Sequence, residues 1–178
     1  MKILIVGLGI QGNKRKKLLN KKFFFATVDN KNKKADYKKI EDVPVTKYNS
    51  VFICTPDSEK IKILNYCIKH KKHALIEKPL ITTSNSKISE LEKKANKAKI
   101  VLYTAYNHRF EPHFKRINKI INTKALGKIY HCHILYGNGT AKLVKKNKWR
   151  DKGLGVIQDL GPHLMDTINF WFKRNFQF

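Results

Sequence analysis

Acidic residues are scarce in this chain. Thirteen Asp and Glu stand against 38 Lys and Arg in 178 residues, a formal net charge of +25. Such a surplus attracts polyanions and raises nucleic acid as a partner. The lysines, however, spread over nearly every stretch, and no nucleic-acid-binding motif accompanies them. They read as a solvated basic surface, and no specific nucleic acid is expected as a partner. Cysteine is rarer still. Cys54, Cys67 and Cys132 are odd in number and widely spaced, which argues against a disulfide framework and a CxxC metal site. A reducing compartment suits that usage, so a cytoplasmic location is expected. No apolar run approaches the ~20 residues of a membrane span, so no membrane role is expected. The stretch Ile3 to Ile10 has the length of a signal core. It holds two glycines, lacks a small-residue cleavage site and runs into Lys14-Arg15-Lys16-Lys17, so it reads as part of the fold.

The turn that follows the first apolar run is Gly7-Leu8-Gly9-Ile10-Gln11-Gly12. A strand before it and a helix after it, from about Gln11 to Asn20, give this G-x-G-x-x-G its meaning. The first glycine permits the tight turn and the second lets backbone approach a pyrophosphate. The third lets the helix pack close to the strand, and the free N–H groups at the helix start receive the phosphates. Lys14 and Arg15 read as exposed helix charges. A second strand, Phe23 to Val28, ends in Asp29. A carboxylate there accepts hydrogen bonds from an adenosine ribose and repels a 2′-phosphate, which favours NAD. Lys31, Lys33 and Lys34 close behind leave NADP open, and an ordinary turn aspartate is the plain alternative.

From Asn30 to Ser50 apolar periodicity fades, with one helical turn expected near Tyr37 to Glu41. Val51 to Cys54 is a buried strand closed by Thr55-Pro56-Asp57, and a helix to about His70 follows. Cys54 and Cys67 read as core residues. Ala74 to Ile76 is a strand that stops at Glu77-Lys78-Pro79, because proline cannot donate to a ladder and disfavours a helical residue before it. Lys78 is thereby held at the carboxyl end of a strand, the edge where open α/β sheets bind ligands. A helix from Thr83-Ser84 to about Lys97 and a strand from Ile100 to Tyr103 complete a doubly wound parallel sheet.

Tyr106-Asn107-His108-Arg109-Phe110 opens a second region, followed by a helix from about Glu111 to Asn122 and a strand from Lys128 to Tyr136. His131-Cys132-His133 on a strand would point two ways, so no metal site is expected. Gly137 to Gly155 is a glycine-punctuated loop carrying Trp149 and Arg150. In the last helix Pro162 suits a first turn, which sets the start near Gln158 to Leu160. Leu160, Leu164, Ile168 and Trp171 then form a buried stripe, with Asp159, His163 and Asp166 on the opposite face.

GLGIQG, EKP, YNHRF and DLGPHLMD together resemble the Gfo/Idh/MocA oxidoreductases, the glucose–fructose oxidoreductase and inositol dehydrogenase family, in order and spacing across nearly the whole chain. The resemblance implies an α/β fold: a Rossmann doubly wound parallel sheet over residues 1–105, then an incomplete α+β substrate domain over 106–178. It implies an NAD(P)-dependent dehydrogenase moving a hydride between a nicotinamide cofactor and a CH–OH group of a sugar or polyol. Lys78, Asp159 and His163 would be catalytic, with Pro79 often following a cis peptide bond. Gly7, Gly9, Ile10, Gln11, Gly12, Asp29, Thr55, Pro56, Glu77 and Lys78 would hold the cofactor. Tyr106, Asn107, Arg109, Asp159 and His163 would meet the substrate. An imidazole is a suitable base for the hydroxyl proton. An NAD-dependent glycosidase or a noncatalytic NAD-binding remnant are the alternatives. The chain departs from the family pattern in its short 30–50 segment and in Lys60, where many members have histidine. It also stops at Phe178, where members run about twice as long. A gene fragment is therefore expected, or a split enzyme whose remainder is a separate chain, and the resemblance leaves a homo-oligomer open.

Overall fold

Short apolar runs without alternation form strands when both faces of a parallel sheet are covered. β1 (Ile3–Val6) is such a run, buried at every position. With β2 (Phe24–Val28), β3 (Ser50–Ile53), β4 (His73–Ile76) and β5 (Leu102–Thr104) it makes one five-stranded sheet in the order β2-β1-β3-β4-β5. All pairings are parallel, with Leu4 opposite Val51 and Ala26, and Ile53 opposite Ile76. The computed structural model describes residues 1–82, 84–137 and 155–173. The chain divides into two compact units, Met1–Ala105 and Tyr106–Phe178.

In the first unit α1 (Ile10–Leu18), α2 (Asp57–Lys69) and α3 (Asn85–Ala98) connect the strands. α2 covers the sheet with Ile63, Leu64 and Cys67, and α3 does so with Leu91 and Ala95. Fully buried Leu4, Val51, Ile53, Leu64 and Ile76 each contribute roughly 1.5–3 kcal/mol by leaving water. α1 is different: its only buried residue is Gly12, so close approach rather than an apolar stripe holds it. Between β2 and β3 the full crossover helix is replaced by two short 3₁₀ turns, Ile40–Asp42 and Val45–Lys47. Buried Lys72 pins this strap. Its Nζ donates to the carbonyls of Val45 and Tyr48, 2.7 Å each, and lies 4.9 Å from the Tyr48 ring centre.

The second unit contributes a 3₁₀ turn (Asn107–Phe110), α4 (Pro112–Asn122) and α5 (Val156–Phe172). Pro112 opens α4, where a missing N–H is harmless. The Trp171 indole of α5 donates to the Phe114 carbonyl of α4 at 3.1 Å.

Three expectations are corrected here. Residues 128–136 form no strand: Tyr130, Cys132 and Leu135 are exposed. A strand needs ladder partners, and no described residue of the unit supplies them. α5 begins at Val156, so Pro162 lies inside it. Pro162 brings no N–H for the Gln158 carbonyl, a local loss that the tertiary contacts of the helix outweigh. The buried stripe is also the polar one. His163, Asp166 and Thr167 are buried beside Leu160, while Leu164 and Ile168 are only half-buried, because α5 turns its ring- and ion-pairing residues toward the 107–110 turn. The loop expected over 137–155, with Trp149 and Arg150, falls almost wholly outside the described residues, as does Thr83.

Candidate functional site

The sheet order reverses between β1 and β3, and the carboxyl ends of these strands form the crevice where such sheets take ligands. Gly7 stands there with φ +93°, and its N–H bonds the Val28 carbonyl at 2.8 Å. A Cβ on Gly7 would lie 2.6 Å from the Cys54 carbonyl oxygen, and one on Gly12 would lie 1.8 Å from the Gly7 oxygen. Both glycines are therefore required by packing, one in the turn and one where α1 crosses it. Gly9 is not. Its φ of −71° suits any residue, and an added Cβ would meet no atom within 4 Å. Room kept bare beside free N–H groups at the start of α1 fits a phosphate rather than the protein.

Asp29 ends β2 and is organised by backbone. Its Oδ2 accepts the Leu8 N–H at 2.7 Å, and Oδ1 accepts those of Lys31 and Asn32 at 2.9 and 2.8 Å. Partial burial pushes its pKa up, but these hydrogen bonds and the nearby Lys38 charge outweigh it and hold the carboxyl below its ordinary value. A fixed negative charge therefore faces the crevice. Thr55, just past β3, buries a hydroxyl that finds no partner among the described residues. A buried hydroxyl left so costs free energy unless a ligand or water meets it. Cys54 beside it is a plain thiol: burial, with the Glu77 charge adding, pushes its pKa to about 12.

Glu77 leaves β4 with its N–H on the Ile53 carbonyl, 2.9 Å. Its carboxylate grips Arg15 of α1 through Nε and Nη2, both 2.7 Å from Oε1. Arg15 is thus a partly buried clamp from α1 to β4 rather than an exposed helix charge. The half-buried Lys78 follows, joined to Pro79 by a cis peptide bond. Behind this turn sits Lys60, only 2% exposed. Its Nζ donates to Asp57 Oδ1 and to the Pro79 carbonyl, 2.6 Å each, tying the first turn of α2 to the turn that carries Lys78. Ile10, Gln11 and Pro56 border the same crevice through their neighbours Gly9, Gly12 and Thr55; Ile10 and Gln11 are exposed.

In the second unit the expected residues gather around α5. His163 is 8% exposed and ringed by aromatic side chains: Tyr106 at 6.0 Å between ring centres, His108 at 4.8 Å and Tyr136 at 6.3 Å. Asp159 lies one helical turn before it, half-buried. Arg109 forms a two-pronged pair with buried Asp166, Nη2 to Oδ1 at 2.6 Å and Nε to Oδ2 at 2.8 Å. Such planar pairing fixes the guanidinium in place. Asn107 donates to Glu111 Oε1 at 3.0 Å. Burial, with the Asp166 charge adding, pushes the Tyr106 pKa up, so its phenol stays protonated.

Four features escaped the sequence reading: Arg15–Glu77, Lys60, Arg109–Asp166, and the contacts of His108 with Glu111 and Tyr136. Lys60 at a position where histidine is usual was a usable signal. So was the i, i+3 spacing of His108 and Glu111. No set of three or more His, Cys, Asp or Glu among the described residues is arranged to hold a metal ion. No helix there is long and apolar enough to cross a membrane.

Two family models match the chain. Residues 1–106 match an oxidoreductase family with an NAD-binding Rossmann fold, and residues 114–177 match a GFO/IDH/MocA C-terminal domain. Among curated proteins, scyllo-inositol 2-dehydrogenase (NADP(+)) of Bacillus subtilis is 30% identical over 120 residues, 65% of this chain and 32% of its own. Myo-inositol 2-dehydrogenase of Thermotoga maritima is 29% identical over 89 residues, 50% of this chain and 25% of its own. Among solved structures, myo-inositol 2-dehydrogenase from Lactobacillus plantarum superposes with TM-score 0.74 at 17% identity. That match covers 96% of this chain and 56% of that one. The chain thus spans a quarter to a third of these curated relatives and about half of the solved one.

Proposed function

The chain belongs to the Gfo/Idh/MocA oxidoreductase family, and on that premise we propose that it serves an NAD-dependent dehydrogenase acting on a CH–OH group of a polyol or sugar. The observation that carries the cofactor half is Gly9, a glycine that neither backbone nor packing demands. Its bare Cα lets the turn 7–12 meet a pyrophosphate, with the α1 N–H groups as donors. Thr55 offers its buried hydroxyl to the same ligand. Asp29 receives the ribose hydroxyls and, by its charge, disfavours a 2′-phosphate. A bound nicotinamide supplies the hydride acceptor.

Side chains of this protein handle the proton and the developing charge. The Lys78 ammonium donates to the substrate oxygen and stabilises negative charge on it. His163 accepts the hydroxyl proton, and Asp159, one helical turn away, holds the substrate hydroxyl. Tyr106 and Asn107 border the reacting end. Arg109, already committed to Asp166, shapes the wall. The polyol class is supported by the dehydrogenase relatives, inositol dehydrogenases among them.

The test is a fluorescence titration of the purified chain with NADH and NADPH, followed by NAD⁺-linked oxidation of inositols and simple sugars. Saturable NADH binding that is tighter than NADPH binding and weakened in Asp29→Ala is expected, with turnover abolished in Lys78→Ala. Failure of a folded chain to bind either cofactor would overturn the reading.

A further inference from the structure

His108 belongs to none of the roles above, yet its ring is held on three sides by described residues. Its Nδ1 lies 2.8 Å from Glu111 Oε1, its Nε2 lies 3.0 Å from the Tyr136 hydroxyl, and its face stacks on Phe114 with 4.8 Å between centres. A carboxylate only accepts hydrogen bonds, so Nδ1 carries the proton. When the ring carries that one proton, Nε2 is an acceptor and the Tyr136 O–H is the donor. Hydroxyl, imidazole and carboxylate thus stand in the order that makes a hydroxyl able to give up its proton. The His108 and Tyr136 rings also flank His163, 4.8 and 6.3 Å between ring centres.

We propose that Tyr136, His108 and Glu111 form a second acid–base relay beside His163, acting on the same substrate hydroxyl. The proposal rests on the dehydrogenase reading given above. The hydroxyl proton passes to Tyr136 Oη as the phenol proton passes to His108 Nε2, and Glu111 holds the resulting imidazolium through Nδ1–H. Only protons move in this step: two O–H bonds break, one on the substrate and one on the phenol, while a new O–H bond forms at Tyr136 Oη and an N–H bond forms at Nε2. The relay resets when the imidazolium returns its proton through Tyr136 to water. Tyr136 is the group that meets substrate, while His108 and Glu111 act through it. Because His163 and the relay offer parallel routes, removal of one leaves the other working.

Two measurements on the full chain decide it. The first, nitrogen-15 NMR of the imidazoles, needs neither cofactor nor turnover. His108 is expected as the Nδ1–H tautomer, with its Nε2 resonance shifted in Tyr136→Phe. An Nε2–H tautomer, or a resonance indifferent to Tyr136→Phe, overturns the relay. The second is NAD⁺-linked polyol oxidation. Tyr136→Phe alone should lower kcat less than tenfold, but in a His163→Ala background it should remove at least tenfold of the activity that remains, with cofactor KM unchanged. Equal losses in both backgrounds overturn the parallel routes. Should the wild-type chain bind no cofactor and turn over no polyol, the dehydrogenase reading fails, and with it the relay's substrate, while the NMR result still judges the hydrogen-bonded triad by itself.

Discussion

Two alanine substitutions in one hexapeptide should have opposite consequences. In Gly12→Ala the new Cβ lies 1.8 Å from the Gly7 oxygen and 2.9 Å from the Gly7 carbonyl carbon. Backbone atoms cannot rotate away as a side-chain tip does, so α1 must retreat by roughly 1.5 Å to restore ordinary contact. Overpacking of rigid neighbours costs about 1–3 kcal/mol and more where backbone is the obstacle, so a loss of about 3 kcal/mol or more is expected. In Gly9→Ala the Cβ meets nothing within 4 Å and the φ is −71°. Exchange of glycine for alanine at this helix-flanking position should change stability by only a few tenths to ~1 kcal/mol. The same methyl fills the approach to the phosphate, however. Losing one hydrogen bond to a charged group, at about 1.5–3 kcal/mol, weakens NADH binding roughly tenfold to a hundredfold or somewhat more. Urea unfolding reads the first quantity and NADH fluorescence the second. Full-strength NADH binding by Gly9→Ala would refute the account of that glycine, and wild-type stability of Gly12→Ala would refute the account of the helix crossing.

Lys60→Met keeps the buried stem but strips the Pro79 carbonyl of its donor. A loss of about 1–3 kcal/mol is expected in urea unfolding, while Asp57, more exposed, is rehydrated at little cost. Arg109→Lys cannot make the two-pronged pair to buried Asp166. It should lower the melting temperature, and an unchanged melting curve would contradict that geometry. The Asp36 carboxyl is held below its ordinary value by the Thr27 hydroxyl and then, against burial, by the Thr27 N–H, and Asp29 is likewise lowered. Their contribution is present in full above the unfolded value of ~3.9 and is lost as pH falls through the lower folded values. Stability of Asp36→Asn should accordingly fall less steeply below about pH 4 than that of the wild type.

Local features were legible in the chain and distant pairings were not. β1, β3 and β4 announce themselves as continuous apolar runs stopped by glycine or proline, because both faces of a parallel sheet are covered. The glycine turn is legible since its geometry is set within six residues. Residues 128–136 carry a strand-like composition, yet a strand is made by its neighbours. Pro162 suggests a helix start when read alone, but the helix begins six residues earlier, where the backbone at Gly155 enters it. The site partners lie far apart along the chain: Lys60 and Pro79 by 19 residues, His108 and Tyr136 by 28, Arg109 and Asp166 by 57. Spacing rules reach three or four residues along a helix, so none of these pairs could be read from them.

The central place of β1 bears on how the chain is made. β1 pairs with β2 on one side and β3 on the other, so its apolar run Ile3–Val6 leaves the ribosome long before Ile53 can close the second ladder. At synthesis rates of roughly 5–20 residues per second, that run waits several seconds with one edge unpaired. Nascent chains stalled before residue 50 should therefore expose β1 to chaperones and proteases. Chains stalled well beyond Ile53 should shelter it, so the most deeply buried strand of the sheet is the one that spends longest in the open.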